Sequence, residues 1–518
     1  MVVYNDVAPE IKTTLVDKST QDHIAERSTT ATLEDTVSYK HLLPGHYVMS
    51  GVLMDKNTGK ELLDAKGNKI VGSTEFDVKT VLDEYGEPVP QSGTVKVTFT
   101  LDTTILENVT IVAFEELHAS TITGKLVAKH ADINDVDQTI VVPKVRTTLK
   151  DSVTDDHVAA LESVTLIDTV AYDNLIIGKE YSVTGILVNA DTGKEIKDKD
   201  GKVITSTTVF TAKTKAGTIE VKFTVSPELL KGTKVVAFED LKYKNIKIAT
   251  HADITDEEQT VFFPEIHTTL IDRETKEHIA CQNTVIRLVD TVTYNKLKPG
   301  LTYTMRGTLM DKTTGKALLD KDGKPITTEK TFTPTAESGT VEIEFKFDGS
   351  LLKGDTLVAF EECRLKDKKV AVHNDINDVD QTVDIPDIHT TFFELEIGET
   401  EDFVRAGQVV TLVDRVYFTN LKPGLEYTLT GTIKVKETGE DFKDAKGNAY
   451  ITTVIFKPET ASGYVDVEFV VNTDTVAGQT LVAFETLDYK GFTLVVHADI
   501  EDVDQTVSVR PLRRNWRK

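Results

Sequence analysis

The sequence is poor in cysteine and in long apolar runs, and these absences exclude several classes of protein. Its 518 residues include two cysteines, Cys281 and Cys363. Both fall in one of the repeats described below, so the repeats share neither a disulfide framework nor a zinc site. We expect both cysteines to be incidental, with a single disulfide between them as the alternative. No apolar run approaches the ~20 residues of a membrane span, and the first ten residues lack the basic and apolar regions of a signal peptide.

Positive charge is also scarce. The chain has 59 Lys and Arg residues against 84 Asp and Glu residues, which gives a formal net charge of -25. An excess of negative charge repels nucleic-acid backbones and anionic membrane surfaces, so we expect neither as a partner. The one basic stretch, residues 511–518, contrasts with the acidic chain and is interpreted as a scar or an out-of-frame end.

A ten-residue motif, HADINDVDQT, begins at His130 and recurs three times. The other copies begin at His251, His373 and His497, and in every copy a Gln follows the His by eight residues. Successive glutamines lie 121 to 124 residues apart, which is the spacing of domains and not of a solenoid repeat. The sequence therefore predicts four tandem domains, over residues 9–142, 143–263, 264–385 and 386–510.

Short alternating segments separated by turns predict an all-β fold. Each repeat has a first strand such as PEIKTTL from Pro9, a second such as LEDTVSY from Leu33 and a buried strand such as IVAFEE from Ile111. Helical periodicity is nearly absent. We expect four antiparallel β-sandwich (Ig-like) domains. The interval from Gln138 to the Thr of the next first strand is nine residues and recurs at each joint, so we expect a rod-like array without flexible linkers.

Two polar residue types face the predicted cores. Strand alternation places the first Thr of each TT pair and the Gln of each motif among apolar neighbours. A buried carboxamide is costly unless it is paired, and four copies ask for a reason beyond packing. The residues are Thr13, Thr147, Thr268 and Thr390, with Gln138, Gln259, Gln381 and Gln505.

The chemistry of the accompanying residues suggests a reaction between Thr and Gln. Each repeat adds an Asp in the second strand, a Glu at the end of the VAFE-type string and the His of the motif. A His activates a Thr hydroxyl, a carboxylate orients the imidazole, and two carboxyls in a dry site share a proton. Directed at the Gln carboxamide, this set forms an intramolecular Thr–Gln ester with loss of ammonia.

The TTL opening, the VAFE-type strand and the His-to-Gln spacing, taken together over residues 9 to 510, resemble the T-Q ester bond domains of Gram-positive surface adhesins, related to VaFE-repeat proteins. The resemblance implies self-formed ester cross-links between first and last strands, without a cofactor. The implied bonds are Thr13–Gln138, Thr147–Gln259, Thr268–Gln381 and Thr390–Gln505. The implied helper residues are Asp35, Glu115 and His130; Asp168, Glu239 and His251; Asp290, Glu361 and His373; and Asp414, Glu485 and His497.

Other readings of the same residues remain open. A buried Thr or Gln is often a hydrogen-bonded core residue without chemistry, although recurrence in a fixed register argues against this. Asp132, Asp135 and Asp137 could bind calcium, but their loop lacks the glycine and closing Glu of an EF-hand, so we expect no metal. A Lys–Asn isopeptide is disfavoured because the first strands share no Lys. The residues directly before the core-facing Thr are Lys12, Arg146, His267 and His389.

The fourth repeat departs most from the others. It reads Thr391-Phe392-Phe393-Glu394 in place of the usual TTLxD, and Arg415 follows Asp414. Of the four cross-links, the one in this repeat is therefore the one that the sequence supports least. The DHIA-like strings with His23, His157 and His278 are absent from this repeat, and we interpret them as structural.

These patterns favour a structural stalk of a bacterial surface adhesin that reacts once per domain and only with itself, so it is not an enzyme. The alternative is a module that binds a host ligand through its loops, but only the first repeat has longer loops, from Val81 and from Leu117. A Thr hydrolase fits poorly because its nucleophile would be buried. We expect a monomer on the cell-wall-anchored, extracellular surface, with host molecules bound through domains outside this chain.

Overall fold

The chain divides into two compact units, Met1–Phe263 and Pro264–Lys518, and each unit holds two β-sandwiches. Antiparallel sheets dominate, which confirms the predicted fold class. Within the described ranges, no helix has the length and apolarity that crossing a membrane requires. Residues 512–518 of the basic tail and residues 120–123 of the loop from Leu117 lie outside the described residues. The computed structural model describes residues 7–119, 124–282, 285–350, 352–398 and 403–511.

The first sandwich pairs a small sheet with a larger one. The strands are β1 (Glu10–Asp17), β2 (Ala31–Leu42), β3 (Gly45–Asp55), β4 (Lys60–Glu61), β5 (Val71–Val78), β6 (Gln91–Leu101), β7 (Val109–Ala119), β8 (Lys125–His130) and β9 (Thr139–Val142). The small sheet has the order β1-β2-β6. The larger sheet is built on β3, which pairs with β4, β5 and β7, while β7 also pairs with β8 and β9.

Strand alternation sets which side chains enter this core. In β1 every second residue from Ile11 to Asp17 is buried, and the residues between them face outward, because successive side chains of a strand point to opposite faces. The central strand β7 buries Ile111, Val112 and Ala113 in succession. Such a run is expected of a strand that is covered on both faces.

The second sandwich repeats the arrangement. The elements are β10 (Lys144–Asp151), β11 (Thr165–Asp173), β12 (Glu180–Asn189), β13 (Thr205–Thr211), β14 (Gly217–Thr224), α1 (Pro227–Leu230), β15 (Thr233–Tyr243), β16 (Ile246–His251), a 3-10 turn (Glu257–Gln259) and β17 (Thr260–Phe263). Its sheets have the orders β10-β11-β14 and β13-β12-β15-β16, with β17 paired to β15.

The third and fourth sandwiches follow the same order of strands. In the fourth, a short strand, β28 (Phe403–Arg405), pairs in parallel with the last strand, β35 (Thr506–Arg510). Cys281 and Cys363 of the third repeat are both free and buried. The third has β18 (Glu265–Asp272), β19 (Ile286–Asn295), β20 (Tyr303–Asp311), β21 (Lys316–Ala317), β22 (Thr327–Phe332), β23 (Gly339–Phe347), β24 (Thr356–Leu365), β25 (Lys368–His373) and β26 (Thr382–Asp384). The fourth has β27 (Asp387–Glu394), β28 (Phe403–Arg405), β29 (Val409–Thr419), β30 (Tyr427–Val435), β31 (Ile451–Phe456), β32 (Gly463–Asn472), β33 (Thr480–Tyr489), β34 (Phe492–His497) and β35 (Thr506–Arg510).

A glycine in β3, and in the corresponding strands β12, β20 and β30, makes room for a phenylalanine ring from the opposite sheet. At Gly51 a Cβ atom would lie 2.5 Å from Phe99 Cζ and 3.5 Å from Glu115 Oε1. Gly51 is also the direct cross-strand partner of Glu115. The absent side chain therefore lets the ring pack beside a buried acid. The other pairs are Gly185 with Phe223, Gly307 with Phe345 and Gly431 with Phe469.

We predict that Gly51→Ala lowers the local unfolding free energy of the first sandwich by ~1–3 kcal/mol, because the new methyl group displaces the Phe99 ring. Gly45→Ala is the matched control in the same strand, since its Cβ would meet Tyr47 at an ordinary 3.6 Å. Hydrogen exchange of β3 and β6, read by mass spectrometry, measures both variants. Equal exchange rates in the two variants would contradict the packing argument.

Candidate cross-linking site

The Thr and Gln of each repeat meet between the two sheets. In the first repeat Thr13 lies in β1 of the small sheet, and Gln138 directly precedes β9 of the larger sheet. Thr13 is 6% exposed and Gln138 is 0% exposed. The backbone N–H of Leu15 also donates to the carbonyl oxygen of Asp137 at 2.8 Å. The first and last strands are therefore already joined by hydrogen bonds where the two side chains meet.

The carboxamide contacts both the hydroxyl and the Glu in the first three repeats. Gln138 Nε2 donates to Thr13 Oγ1 at 2.7 Å and to the nearby Glu115 Oε2. The carboxamide oxygen Oε1 of Gln138 is buried without a partner among the described residues. In the second repeat Gln259 Nε2 donates to Thr147 Oγ1 and, at 2.7 Å, to Glu239 Oε2. In the third repeat Gln381 Nε2 donates to Thr268 Oγ1 at 2.6 Å and to Glu361 Oε2.

The fourth repeat differs in one contact. Gln505 Nε2 donates to Glu485 Oε2 at 2.8 Å, but within the described ranges Thr390 Oγ1 has no hydrogen-bond partner. Arg415 does not enter this site, because its guanidinium forms a two-point pair with Asp466, at 2.7 and 2.8 Å. The site residues are thus all present in the fourth repeat, while the Thr–Gln hydrogen bond is not formed.

A buried pair of carboxyl groups lies beside the Thr and Gln. Asp35 is two residues along β2 from Val37, the direct partner of Thr13, so Asp35 and Thr13 share the inner face as diagonal neighbours. Asp35 and Glu115 are both 0% exposed. In the second repeat the corresponding pair is Asp168 and Glu239, 0% and 1% exposed. Each repeat therefore holds two acids in a dry space.

Burial keeps the Glu of each pair protonated. It raises the pKa of Glu115 to about 10, and the hydrogen bond and charge of Asp35 add to the rise. Burial likewise raises the pKa of Glu239 to about 10 and that of Asp168 to about 6. The neighbouring Asp takes the charge first, so the Glu is neutral near pH 7 and has a proton to donate. In the third and fourth repeats the pKa values shift the same way, upward for Glu361, Glu485, Asp290 and Asp414.

The His stands opposite the Glu at the edge of the site. Strand pairing sets His130 directly across from Glu115. The His Nε2 lies 2.8 Å from Asp135 Oδ2, and although burial alone would raise the pKa of Asp135, hydrogen bonds from His130 and backbone amides lower it. The carboxylate therefore accepts from Nε2–H and leaves Nδ1 as the free basic nitrogen. In the third repeat Nδ1 of His373 lies 3.3 Å from the carbonyl oxygen of Ile266, on the strand that carries Thr268. With the proton on Nε2, these two acceptor atoms do not form a hydrogen bond.

The Asp five residues after each His is a site residue that the sequence analysis missed. Asp135 was considered only as a possible calcium ligand, yet it orients the imidazole. Its signal is the fixed position in all four motifs. Among the described residues no group of three or more His, Cys, Asp or Glu side chains is arranged to hold a metal ion. The remaining contacts are His251–Asp256 (2.9 Å), His373–Asp378 (2.8 Å) and His497–Asp502 (3.2 Å).

The His side chains lie at the boundary between core and solvent. They are 16% to 22% exposed, whereas each Gln is 0% exposed. In the second repeat a surface cleft lined by His251 and Asp256 reaches Thr147. The His can therefore exchange a proton with solvent, while the Gln stays enclosed.

Comparison with known proteins places this arrangement in a family. The sequence model for the T-Q ester bond containing domain matches residues 9–142, 143–263, 264–385 and 386–509. An adhesin from Mobiluncus mulieris with intramolecular disulfide, isopeptide and ester bond cross-links is 13% identical, over 44% of this chain and 82% of its own, with a TM-score of 0.23. Alpha-2-macroglobulin from Escherichia coli is 12% identical, over 98% of this chain and 42% of its own, with a TM-score of 0.19. The comparison with curated proteins found no match. The chain belongs to the family of T-Q ester bond containing domains and carries four of them in tandem.

Proposed function

We propose that the protein is a structural stalk of a bacterial surface adhesin whose domains each form one Thr–Gln ester without help from another protein. The observation that carries the proposal is the contact of Gln138 Nε2 with Thr13 Oγ1 at 2.7 Å in a core where the Gln is 0% exposed. Family membership supports it. We place the stalk outside the cell, anchored to the wall, with host molecules bound by other parts of the adhesin.

The proposed reaction is an acyl transfer within the domain. Nδ1 of His130 takes the hydroxyl proton of Thr13 as Oγ1 bonds to Cδ of Gln138. The Cδ–Nε2 bond then breaks, and the nitrogen leaves as ammonia with the proton that the His returns. Asp135 holds the imidazole through Nε2–H. One hydroxyl and one carboxamide are consumed, and one ester and one ammonia are produced.

The neutral Glu supplies the electrophilic assistance. With the carboxamide turned by half a rotation about its last bond, its oxygen replaces Nε2 beside Glu115, and the two atoms differ little in size. The protonated Glu then donates to the carbonyl oxygen, where negative charge develops during the attack. Gln138 Oε1, which has no partner among the residues that the structure describes, gains a donor in this orientation.

Burial explains why the bond lasts and why the chemistry is confined to the chain. Gln138 and Gln259 are 0% exposed, so water that would hydrolyse the ester is kept from the acyl carbon. An external substrate is kept out in the same way. The domain reacts once and is not a catalyst in the ordinary sense.

The ester closes nearly the whole domain into a ring. In the third repeat Thr268 and Gln381 are 113 residues apart in sequence, and the chain-entropy relation for cross-links gives roughly 4–5 kcal/mol for a loop of this length. Force applied along the chain enters at the first strand and leaves at the last. It therefore passes through the ester and bypasses the residues inside the ring.

We predict that the purified protein lacks one ammonia for each cross-linked domain. Intact mass measured in denaturant should fall short of the sequence mass by four ammonia molecules. A mass short by three, with free peptides containing Thr390 and Gln505, would identify the fourth domain as unreacted, in keeping with its missing Thr–Gln hydrogen bond. A mass equal to that of the sequence would contradict the proposal.

We predict that His251→Ala leaves Thr147 and Gln259 unlinked, because the base is removed. Asp256→Asn should slow bond formation by up to about 10⁴-fold, because an Asn in place of the carboxylate favours the wrong imidazole tautomer. Tandem mass spectrometry of digests taken at intervals after synthesis measures both. His118→Ala is the control, since that side chain contacts Gly124 and Glu116 and not the site. A joined peptide at the normal rate in His251→Ala would remove this residue from its role.

We predict that Thr268→Ala restores one unfolding event under tension. Single-molecule pulling of the unchanged chain should show no extension from ring unfolding. The variant should lengthen in one step of roughly 400 Å, the span of the 113 residues released. Thr269→Ala is the control because its side chain faces outward from the same strand. Four domain-length steps in the unchanged chain would overturn the mechanical role.

A further inference from the structure

The DHIA-like loop after the first strand is not used by the cross-link. We name residues 17–27 and residues 272–282 the docking loops of the first and third domains. Each is fixed to the last strand of its own domain: Val141 N–H donates to His23 O at 2.9 Å, and Ala25 N–H donates to Val141 O at 3.0 Å. In the third domain Asp384 N–H likewise donates to His278 O at 3.0 Å. Each loop is therefore held rigidly at one end of its domain.

The apolar residue of each docking loop belongs to the core of the following domain. Ile24 is 0% exposed and packs in the same buried cluster as Val145, Tyr243 and Ala249 of the second domain. Ile279 does the same in the fourth domain. A backbone hydrogen bond accompanies each insertion: Arg27 N–H donates to Lys247 O at 2.7 Å, and Gln282 N–H donates to Leu494 O at 2.6 Å.

The acidic residue before the His binds a tyrosine and a lysine of the following domain. Asp22 Oδ2 accepts from Lys179 Nζ and from Tyr243 OH, both at 2.6 Å. Burial alone would raise the pKa of Asp22, but these hydrogen bonds lower it to about 2, so the carboxylate is charged at neutral pH. In the third domain Glu277 occupies the position and accepts from Lys490 Nζ at 2.7 Å.

An asparagine of the following domain makes the return contact. Asn174 has a φ of 63°, a conformation that asparagine tolerates better than most residues. Its Nδ2 donates to the carbonyl oxygens of Val109 (2.9 Å) and Val142 (3.2 Å) in the first domain. Asn420, with a φ of 57°, donates to Gly354 O at 2.8 Å. The same residue type therefore closes both contacts.

We propose that the docking loop is a recognition element for a following copy of this domain, which it locks in a fixed orientation. Its partner surface comprises the tyrosine–lysine pair, the asparagine in left-handed conformation and the pocket for Ile24. The segment from Gln138 to Thr147 lies outside both ester rings, and the docking loop spans that segment. The first and second domains thus form one rigid pair, and the third and fourth domains form another.

The test uses the full chain with nitroxide labels on the equivalent exposed positions Thr100→Cys and Thr224→Cys, the native cysteines being buried. Double electron–electron resonance should give a narrow distance distribution for the unchanged docking loop. Combining Asp22→Ala with Asn174→Gly should widen it about twofold, because the buried Ile24 and one backbone hydrogen bond then hold the second domain without fixing its orientation.

Asp64→Ala with Asn68→Gly is the control, since it removes the same residue types from an exposed turn within the first domain. Asp22→Asn, which keeps the side-chain size, should widen the distribution by a smaller amount and guards against misfolding, which circular dichroism monitors. A broad distribution in the unchanged chain, or the same width in the loop variants, would overturn the proposal. Mass spectrometry reads the esters separately, so failure of one proposal is distinguishable from failure of the other.

Discussion

The structure depends on one contact, between a carboxamide and a hydroxyl that belong to opposite ends of a domain. Gln138 and Thr13 are 125 residues apart, yet both point into the same dry space. Neither side chain would be stable there alone, because a buried polar group without a partner is costly. The acid pair, the His and the strand order all serve to bring these two groups together and to keep water away.

Much of this site follows from the sequence, because strand alternation and recurrence are strong signals. The inward position of Thr13 and Gln138 follows from the period of two, and Glu115 follows from the buried VAFE-type string that it closes within β7. Asp135 could not be assigned the same way, since it lies in a loop where no period tells which way a side chain points. The absent Thr–Gln hydrogen bond in the fourth domain was also beyond reach, because it depends on side-chain placement and not on residue type.

The contacts between neighbouring domains show a second limit of sequence reasoning. Asp22 and Tyr243 are 221 residues apart, and nothing in either local pattern indicates that they meet. The DHIA-like strings are recognisable as structural from the sequence, but their pattern does not indicate what they hold. In the structure each of two such loops binds its own last strand and the following domain at once, so one short segment serves two cores.

The glycine opposite the acid ties the packing of each domain to the durability of the proposed ester. Phe99 fills the space that Gly51 leaves beside Glu115, so its ring packs next to the acid that contacts Gln138. A smaller residue in place of Phe99 would leave a cavity lined in part by polar groups, and such a cavity can take up water. The defect would then be measured in the chemical lifetime of the ester as well as in the stability of the fold. A residue that never touches the reacting atoms would in this way set how long their product survives.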